Sequence, residues 1–422
     1  MNICSIHMSN SQIEYEGQYE FIDDYLEVEV YNYHASSSEY AHVGENVKYK
    51  EFTIVDLRNK VFIFSPAFYN VGVTFALTQY EKYRTNFYFK SGQIDSAEYS
   101  LDDIYIRKII LYNPILTQCY ENPAFRVTYN MDEINYKVIN NAEKNIVEIQ
   151  ESNIEKIEFG GRCTYSNLNN GQQVNIEAEN YAVICLINPI KYEDLLMYIN
   201  EFDIIMNAYC LNRMRSYSTL IITHEDKCFE VVHRLLGKER FCKNTIRRPI
   251  KMDFFEYMKT MYKSICYRRV EDKNKYILLD FKIPVSLEDQ FIFYFRYIDL
   301  YMGQYIEQKT KQKPNNFDRL SLFVDENFQL FDSEDVTNID NLKNELNSLR
   351  NQYIHEGYYL QNEQFAVKGK HREFLYNKRM DYNWLLRVVK ALKYGVYKIF
   401  YTSVLKFEIN EAELKAALKV WL

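Results

Sequence analysis

The sequence predicts an α+β protein, with a β-rich N-terminal domain over residues 1–283 followed by an all-α C-terminal domain over residues 284–422. Residues 1–190 are broken into short runs of alternating or β-branched residues. Turn signals separate them, among them Gly160-Gly161, Asn169-Asn170-Gly171, Asn113-Pro114 and Asn122-Pro123. Beyond Pro284, apolar residues recur at spacings of three and four, the period of a helix buried on one face. Proline, which helix interiors exclude, follows the same division: six of the seven prolines lie at or before Pro284, the seventh is Pro314, and none follows.

The β-runs are Tyr25–Tyr31, Glu51–Val55, Val61–Phe64, Asn86–Lys90, Phe125–Tyr129 and Gln173–Ala178, which fit a sandwich or a barrel-like antiparallel sheet. Tyr192–Cys210 changes period: Leu195, Ile199, Phe202 and Met206 fall on one helical face, and residue 190 is a natural place to subdivide the region. Ser218–Ile222 and Cys228–Val232 return to β-runs, and Phe254–Cys266 reads as helix. After Pro284, Ser286 with Asp289 has the form of a capping box. Leu287, Phe291, Phe295, Ile298, Met302 and Ile306 then make a continuous stripe that Pro314 stops. Phe317–Phe328 gives a short second helix. A third starts at Thr337, with Ile339, Leu342, Leu346, Leu349 and Tyr353 as its buried stripe and Gly357 as its C-cap. Leu385, Val388, Leu392, Val396 and Ile399 mark a fourth, and Asn410 with Glu413 opens a short terminal helix, Ala412–Leu422. Four amphipathic helices in succession predict a helical bundle.

The 422 residues are 47% hydrophobic and 26% charged, with a formal charge of -7. That composition supplies cores for two or three domains and excludes disordered, collagen-like and coiled-coil chains. No apolar stretch approaches the roughly 20 residues of a membrane span. The opening MNICSIHMSNSQIEYEG lacks the basic-then-apolar pattern of a signal peptide, so a cytoplasmic protein without membrane contact is expected. The eight cysteines contain no CxxC pair, which favours free thiols over a zinc ribbon or a redox dithiol. His224-Glu225-Asp226 lacks the second histidine of HExxH, and neither a Gly-rich phosphate loop nor a GxSxG elbow occurs. No metal and no cofactor is expected. The negative net charge confines any nucleic-acid contact to a local patch. The pairs Arg247-Arg248 and Arg268-Arg269 are weak candidates for one.

The segment with chemical content lies on the third C-terminal helix: Leu349-Arg350-Asn351-Gln352-Tyr353-Ile354-His355-Glu356-Gly357. Arg-x4-His alone is a weak pattern, matched by any exposed Arg–His pair at a helix C-terminus, where cations are favoured. Here Asn follows the Arg directly, the motif ends a helix inside a four-helix set, and Gly follows the His by two. Together these resemble the R-N-x(3)-H motif of the HEPN superfamily, whose members are commonly metal-independent ribonucleases. The resemblance covers about residues 285–405. Gln290–Glu307, with Asp299 mid-helix where the family often carries Glu, resembles the first HEPN helix of the ApeA-like family, and Phe317–Val324 resembles its second. The order, β-rich domain and then HEPN domain, resembles that of ApeA-like anti-phage proteins.

The resemblance implies a HEPN four-helix bundle at residues 284–422 and a sensor or regulatory domain at residues 1–283. It implies an endoribonuclease toxin of anti-phage defence that cleaves tRNA or mRNA and causes growth arrest or abortive infection. A phage-derived trigger sensed by the N-terminal domain would release it, and the HEPN domain would form a homodimer. The residue types suit such chemistry. RNA cleaves itself when its 2′-OH attacks the adjacent phosphorus, leaving a 2′,3′-cyclic phosphate and a 5′-OH. His355 titrates near neutrality and can move the proton. Arg350 offers a permanently charged fork of donors to the phosphorane oxygens. Asn351 can both donate and accept, and so orient the phosphate or the His. At 100° per residue, Arg350 and His355 stand about 140° apart, Arg350 flanking the apolar stripe and His355 pointing away. Two motifs facing each other across a two-fold axis would close one site, the composite that the HEPN resemblance also implies. Lys368, Lys370 and Arg372, clustered with His371, Lys378 and Arg379, are candidate substrate-binding residues together with Asp299. A solvated loop is the plainer reading of that charge run. The alternatives are a non-catalytic HEPN module that binds RNA or dimerises, and a plain interaction protein.

Overall fold

The computed structural model describes residues 2–8, 13–22, 25–31, 50–75, 79–92, 104–130, 133–139, 142–168, 173–212, 214–233, 236–238, 247–264, 284, 286–310, 315–331, 339–356 and 382–419. The architecture is α+β, and the chain falls into two compact units. The first comprises Met1–Asp203, Met214–Asn244 and Phe254–Arg268; the second comprises Ile204–Arg213, Thr245–Asp253 and Arg269–Leu422. Residues 204–213 and 245–253 therefore group with the helical unit although they precede residue 284.

Fifteen strands are described, all in the first unit: β1 (Asn2–Met8), β2 (Glu14–Ile22), β3 (Tyr25–Tyr31), β4 (Lys50–Asp56), β5 (Val61–Phe75), β6 (Gln79–Thr85), β7 (Phe87–Ser91), β8 (Ile106–Tyr112), β9 (Phe125–Asn130), β10 (Glu133–Val138), β11 (Asn145–Glu151), β12 (Ile154–Leu168), β13 (Gln173–Ile190), β14 (Ser218–Thr223) and β15 (Cys228–His233). Thirteen form one antiparallel sheet in the order β11-β12-β13-β8-β14-β15-β7-β5-β4-β1-β2-β3-β6, and β9 pairs with β10 separately. The long β5 also pairs with β6, so β1, β2, β3, β6, β5 and β4 close on themselves. The register that pairs Asn70 with Tyr83 also pairs Phe64 with Phe89, so β6 and β7 run as one interrupted strand along β5. β6 bonds to β3 and shuts the barrel, while β7 bonds to β15 and opens into the rest of the sheet. Of the two architectures expected from sequence, a barrel-like sheet is present at one end and an open sheet at the other.

Strand alternation fills the barrel. Cys4, Ile6 and Met8 from β1, Leu26, Val28 and Val30 from β3, and Phe52 and Ile54 from β4 form one buried cluster with Tyr19, Ile63, Phe68 and Tyr83. The Phe52 ring stacks on Phe68 at 4.8 Å and meets Tyr83 edge-on at 4.7 Å. On the outer face, Glu27 and Glu29 alternate with that stripe and are held by Lys82 and Arg84 of β6. Among the described residues three helices belong wholly or mostly to this unit: α1 (Leu116–Cys119), α2 (Tyr192–Cys210), whose residues from Ile204 onward group with the second unit, and α3 (Phe254–Ser264), which packs on β11.

The second unit is helical, with α4 (Leu287–Thr310), α5 (Asn316–Glu326), α6 (Ile339–Glu356), α7 (Tyr382–Ile399) and α8 (Glu411–Leu418). Side chains set the starts. Ser286 Oγ accepts from the Asp289 N–H and donates to its carboxylate. Asn315 and Asp318 form a reciprocal capping box, and Asn410 accepts from the N–H groups of Ala412 and Glu413. The expected starts and stops at Thr337, Pro314 and Gly357 lie outside the described residues. The predicted stripes are buried: Phe291, Phe295, Ile298 and Met302 of α4, Leu342, Leu346 and Leu349 of α6, and Val388, Leu392 and Val396 of α7. α4 packs against α5, α6 and α7, and α5 also packs against α6. A side chain at Gly395 of α7 would collide with the Phe323 ring of α5. Tyr401 donates to the Ala208 carbonyl at 2.6 Å, and Ile250 bridges to Ile409, which ties residues 204–213 and 245–253 into this unit. Among the described residues no helix is long and apolar enough to cross a membrane.

Candidate nucleic-acid cleavage site

Arg350 lies on α6 one position after Leu349, so the buried Leu342–Leu346–Leu349 stripe carries its side chain into the helix packing. Its side chain is 13% exposed and Asp299 of α4 is 19% exposed, with Arg350 Nη2 donating to Asp299 Oδ2 at 3.1 Å. Nη1 donates to Asn351 Oδ1 at 3.0 Å. With the Asn316 amide turned so that its oxygen faces the guanidinium, both terminal nitrogens also donate to Asn316 Oδ1 at 2.9 Å. The guanidinium carbon stands 5.9 Å from the centroid of the Phe295 ring, an apolar wall for the charge.

The cluster therefore joins three helices. Asp299 comes from α4, Asn316 from the first turn of α5, and Arg350 with Asn351 from α6. Burial pushes the Asp299 carboxyl above its ordinary value, against the pull of Arg350 and of Arg319 on α5. Arg350 Nε and Asp299 Oδ1 are buried without a hydrogen-bond partner. At this position Asp299 is the counter-ion of Arg350.

His355 belongs to the last turn of α6, and its side chain lies outside the described residues. Lys368, Lys370, His371, Arg372, Lys378 and Arg379 lie outside them as well. Of the weaker basic candidates, Arg247 pairs with Glu413 at 3.4 Å.

No known protein family, curated protein or solved structure matches the chain. The site is thus read from its own residues.

Sequence reasoning missed Asn316 and Arg319. Their spacing of three puts them on one face of a short helix, a detectable signal. What that face meets is set by packing against α4 and α6, which no local pattern reports. Chemically, the cluster combines two guanidiniums, two neutral amides and one carboxylate near a helix C-terminus that carries a histidine. Such a set can neutralise and orient a phosphodiester.

Proposed function

We propose that the chain is a metal-independent endoribonuclease of the HEPN type. In this reading residues 284–422 form its four-helix bundle, and Arg350, Asn351 and His355 act on the scissile phosphate. The observation that carries the reading is the Arg350 cluster: a guanidinium fixed by residues of three helices, with Asn351 among its partners, five residues before His355 on the same helix. An Arg fixed in this way is pre-organised for an anion and loses little freedom on binding one. His355 moves the 2′-OH proton and then protonates the leaving 5′ oxygen, and Arg350 offsets the charge that develops on the phosphorane. Two copies related by a two-fold axis complete the site, in a homodimer.

The biological role follows the same resemblance: anti-phage defence through RNA cleavage in the cytoplasm, with the β-rich unit holding the nuclease off until a phage-derived trigger arrives. A fragment of residues 285–422 would omit the Ala208 and Ile250 contacts of the helical unit. The restraint is therefore tested in the full chain, expressed with and without phage infection. RNA cleavage confined to infected cells is the expected result.

The enzymatic test incubates the full chain with a mixed RNA pool in EDTA. Cleavage leaving 2′,3′-cyclic phosphate ends, abolished in His355→Ala, is expected. Full cleavage by a folded His355→Ala protein refutes the mechanism. One observation favours the second reading, a non-catalytic RNA-binding or dimerisation module: the Arg350 fork is filled by protein groups, as in a purely structural staple. RNA binding without cleavage would select it.

A further inference from the structure

The Arg350 guanidinium has no terminal donor to spare. Each terminal nitrogen of an arginine carries two N–H groups. Nη1 donates to Asn351 Oδ1 at 3.0 Å and to Asn316 Oδ1 at 2.9 Å. Nη2 donates to Asp299 Oδ2 at 3.1 Å and to the same Asn316 oxygen at 2.9 Å. Nε is buried and has no hydrogen-bond partner among the described residues. A phosphate therefore reaches this arginine by taking the place of one of its three protein acceptors.

The three are not equally replaceable. Asp299 is the counter-ion and only 19% exposed, so losing the arginine would strand a largely buried carboxylate. Asn351 adjoins Arg350 on α6 and accepts from Nη1 alone. Asn316 is neutral, half-buried and on the first turn of α5, outside the capping box that Asn315 and Asp318 make. When it leaves, Asp299 and Asn351 still hold one N–H on each terminal nitrogen. Its oxygen also has the telling position. Equidistant from both terminal nitrogens, it sits where one oxygen of a phosphate meets an arginine head-on. An anionic oxygen bonds a guanidinium more strongly than an amide oxygen does, so the exchange favours phosphate. We propose that Asn316 is a placeholder, whose side-chain oxygen occupies the phosphate position on Arg350 and gives way when RNA arrives. The proposal rests on the ribonuclease reading and adds its regulation: the filled fork is the closed state of the site.

The test uses the full chain carrying His355→Ala, so that RNA is held and not consumed, and a mixed-sequence single-stranded RNA oligonucleotide as probe. Affinity is compared for this protein and for versions that also carry Asn316→Ala or Asn316→Asp, with melting curves for each. Asn316→Ala opens the fork and should tighten binding about threefold to tenfold, the worth of the hydrogen bonding that RNA no longer has to displace. Asn316→Asp puts a fixed anion on the phosphate position and should weaken binding about tenfold or more. In the chain with His355 intact, Asn316→Ala should lower KM for RNA cleavage by the same threefold to tenfold and leave kcat unchanged, a split that a packing role would not produce. A folded Asn316→Ala protein with unchanged or weakened binding, or with a lowered kcat, overturns the placeholder while leaving the ribonuclease reading in place. An unsubstituted chain that neither binds nor cleaves RNA overturns that reading, and this proposal with it. Should Asn316→Ala fail to fold, Asn316→Ser carries the same expectations, because its hydroxyl suits a helix start and is too short to span both nitrogens. Tighter binding by the folded serine variant supports the placeholder, and unchanged or weaker binding overturns it.

Discussion

Each unit buries an aspartate, and the two are treated in opposite ways. In the β-rich unit Asp203 on α2 is 6% exposed. It accepts from the Ser216 N–H at 3.0 Å, from Ser216 Oγ at 2.6 Å and from Asn113 Nδ2 at 2.8 Å. Those donors are all neutral, and burial pushes the carboxyl up to about 6 in spite of them. In the helical unit Asp299 faces guanidiniums, keeps one oxygen unbonded, and pairs with an Arg whose Nε is also unbonded. The Asp203 knot joins the end of β8, α2 and the start of β14 in a neutral-donor set. The Asp299 knot is built on guanidiniums instead, and leaves Asp299 Oδ1 and Arg350 Nε without a hydrogen-bond partner.

Breaking the helical knot should have the largest effect. Arg350→Ala and His355→Ala should each lower cleavage of a mixed RNA pool by about a hundredfold or more. They should differ in stability. Neither residue belongs to the Leu342–Leu346–Leu349 stripe, and on sequence alone both variants keep their fold. The buried ion pair separates them: Arg350→Ala strands Asp299 and should cost about 3 kcal/mol in urea unfolding, while His355→Ala should melt with the unmodified chain. Equal melting of the two variants would show that the pair contributes nothing to packing.

The β-rich knot should reveal itself through pH. The folded-state pKa of Asp203 lies above the unfolded value, so the folded chain binds this proton more tightly. Its contribution to stability is therefore greatest below about pH 4 and declines by on the order of 3 kcal/mol as pH rises to about 6. The difference between urea midpoints of the unmodified chain and Asp203→Asn at pH 4, 5, 6 and 7 isolates that slope; parallel curves would refute it. Ser216→Ala removes one charge-assisted bond and should cost about 1–2 kcal/mol, with RNA cleavage per folded molecule unchanged. Smallest of all should be Lys343→Ala. Its bridge to Asp325 joins α6 to α5 at 2.7 Å, but Asp325 is half exposed, so less than about 1 kcal/mol should be lost in thermal melting.

The helices were more legible in the sequence than the strands, for a physical reason. A helix start is a local competition for backbone N–H groups, and Ser286, Asp289 and Asn410 announce it within three residues. The span Tyr192–Cys210 coincides with α2, because its stripe repeats within one element. Strand extent depends on distant partners instead. Gln173–Ala178 is only the first third of β13, whose polar Glu179 and Asn180 break the alternation yet stay paired with β12. The candidate site divides the same way. Arg350 and Asn351 are adjacent in a motif, whereas Asp299 and Asn316 reach the guanidinium from 51 and 34 positions away. Only tertiary packing selects those partners.

The shared strand of the barrel has one more consequence. An open antiparallel sheet exposes two rims of unpaired peptide groups, each a template for another chain. By bonding both β4 and β6, β5 rolls one rim into the barrel wall, and among the described residues the large sheet keeps a single rim, at β11. That strand bears Glu148 and Glu151 and loses register between them, two features that blunt an edge against sticking. Among the described residues the large sheet is thereby left with one rim, already charged and kinked, from which a fibril could grow.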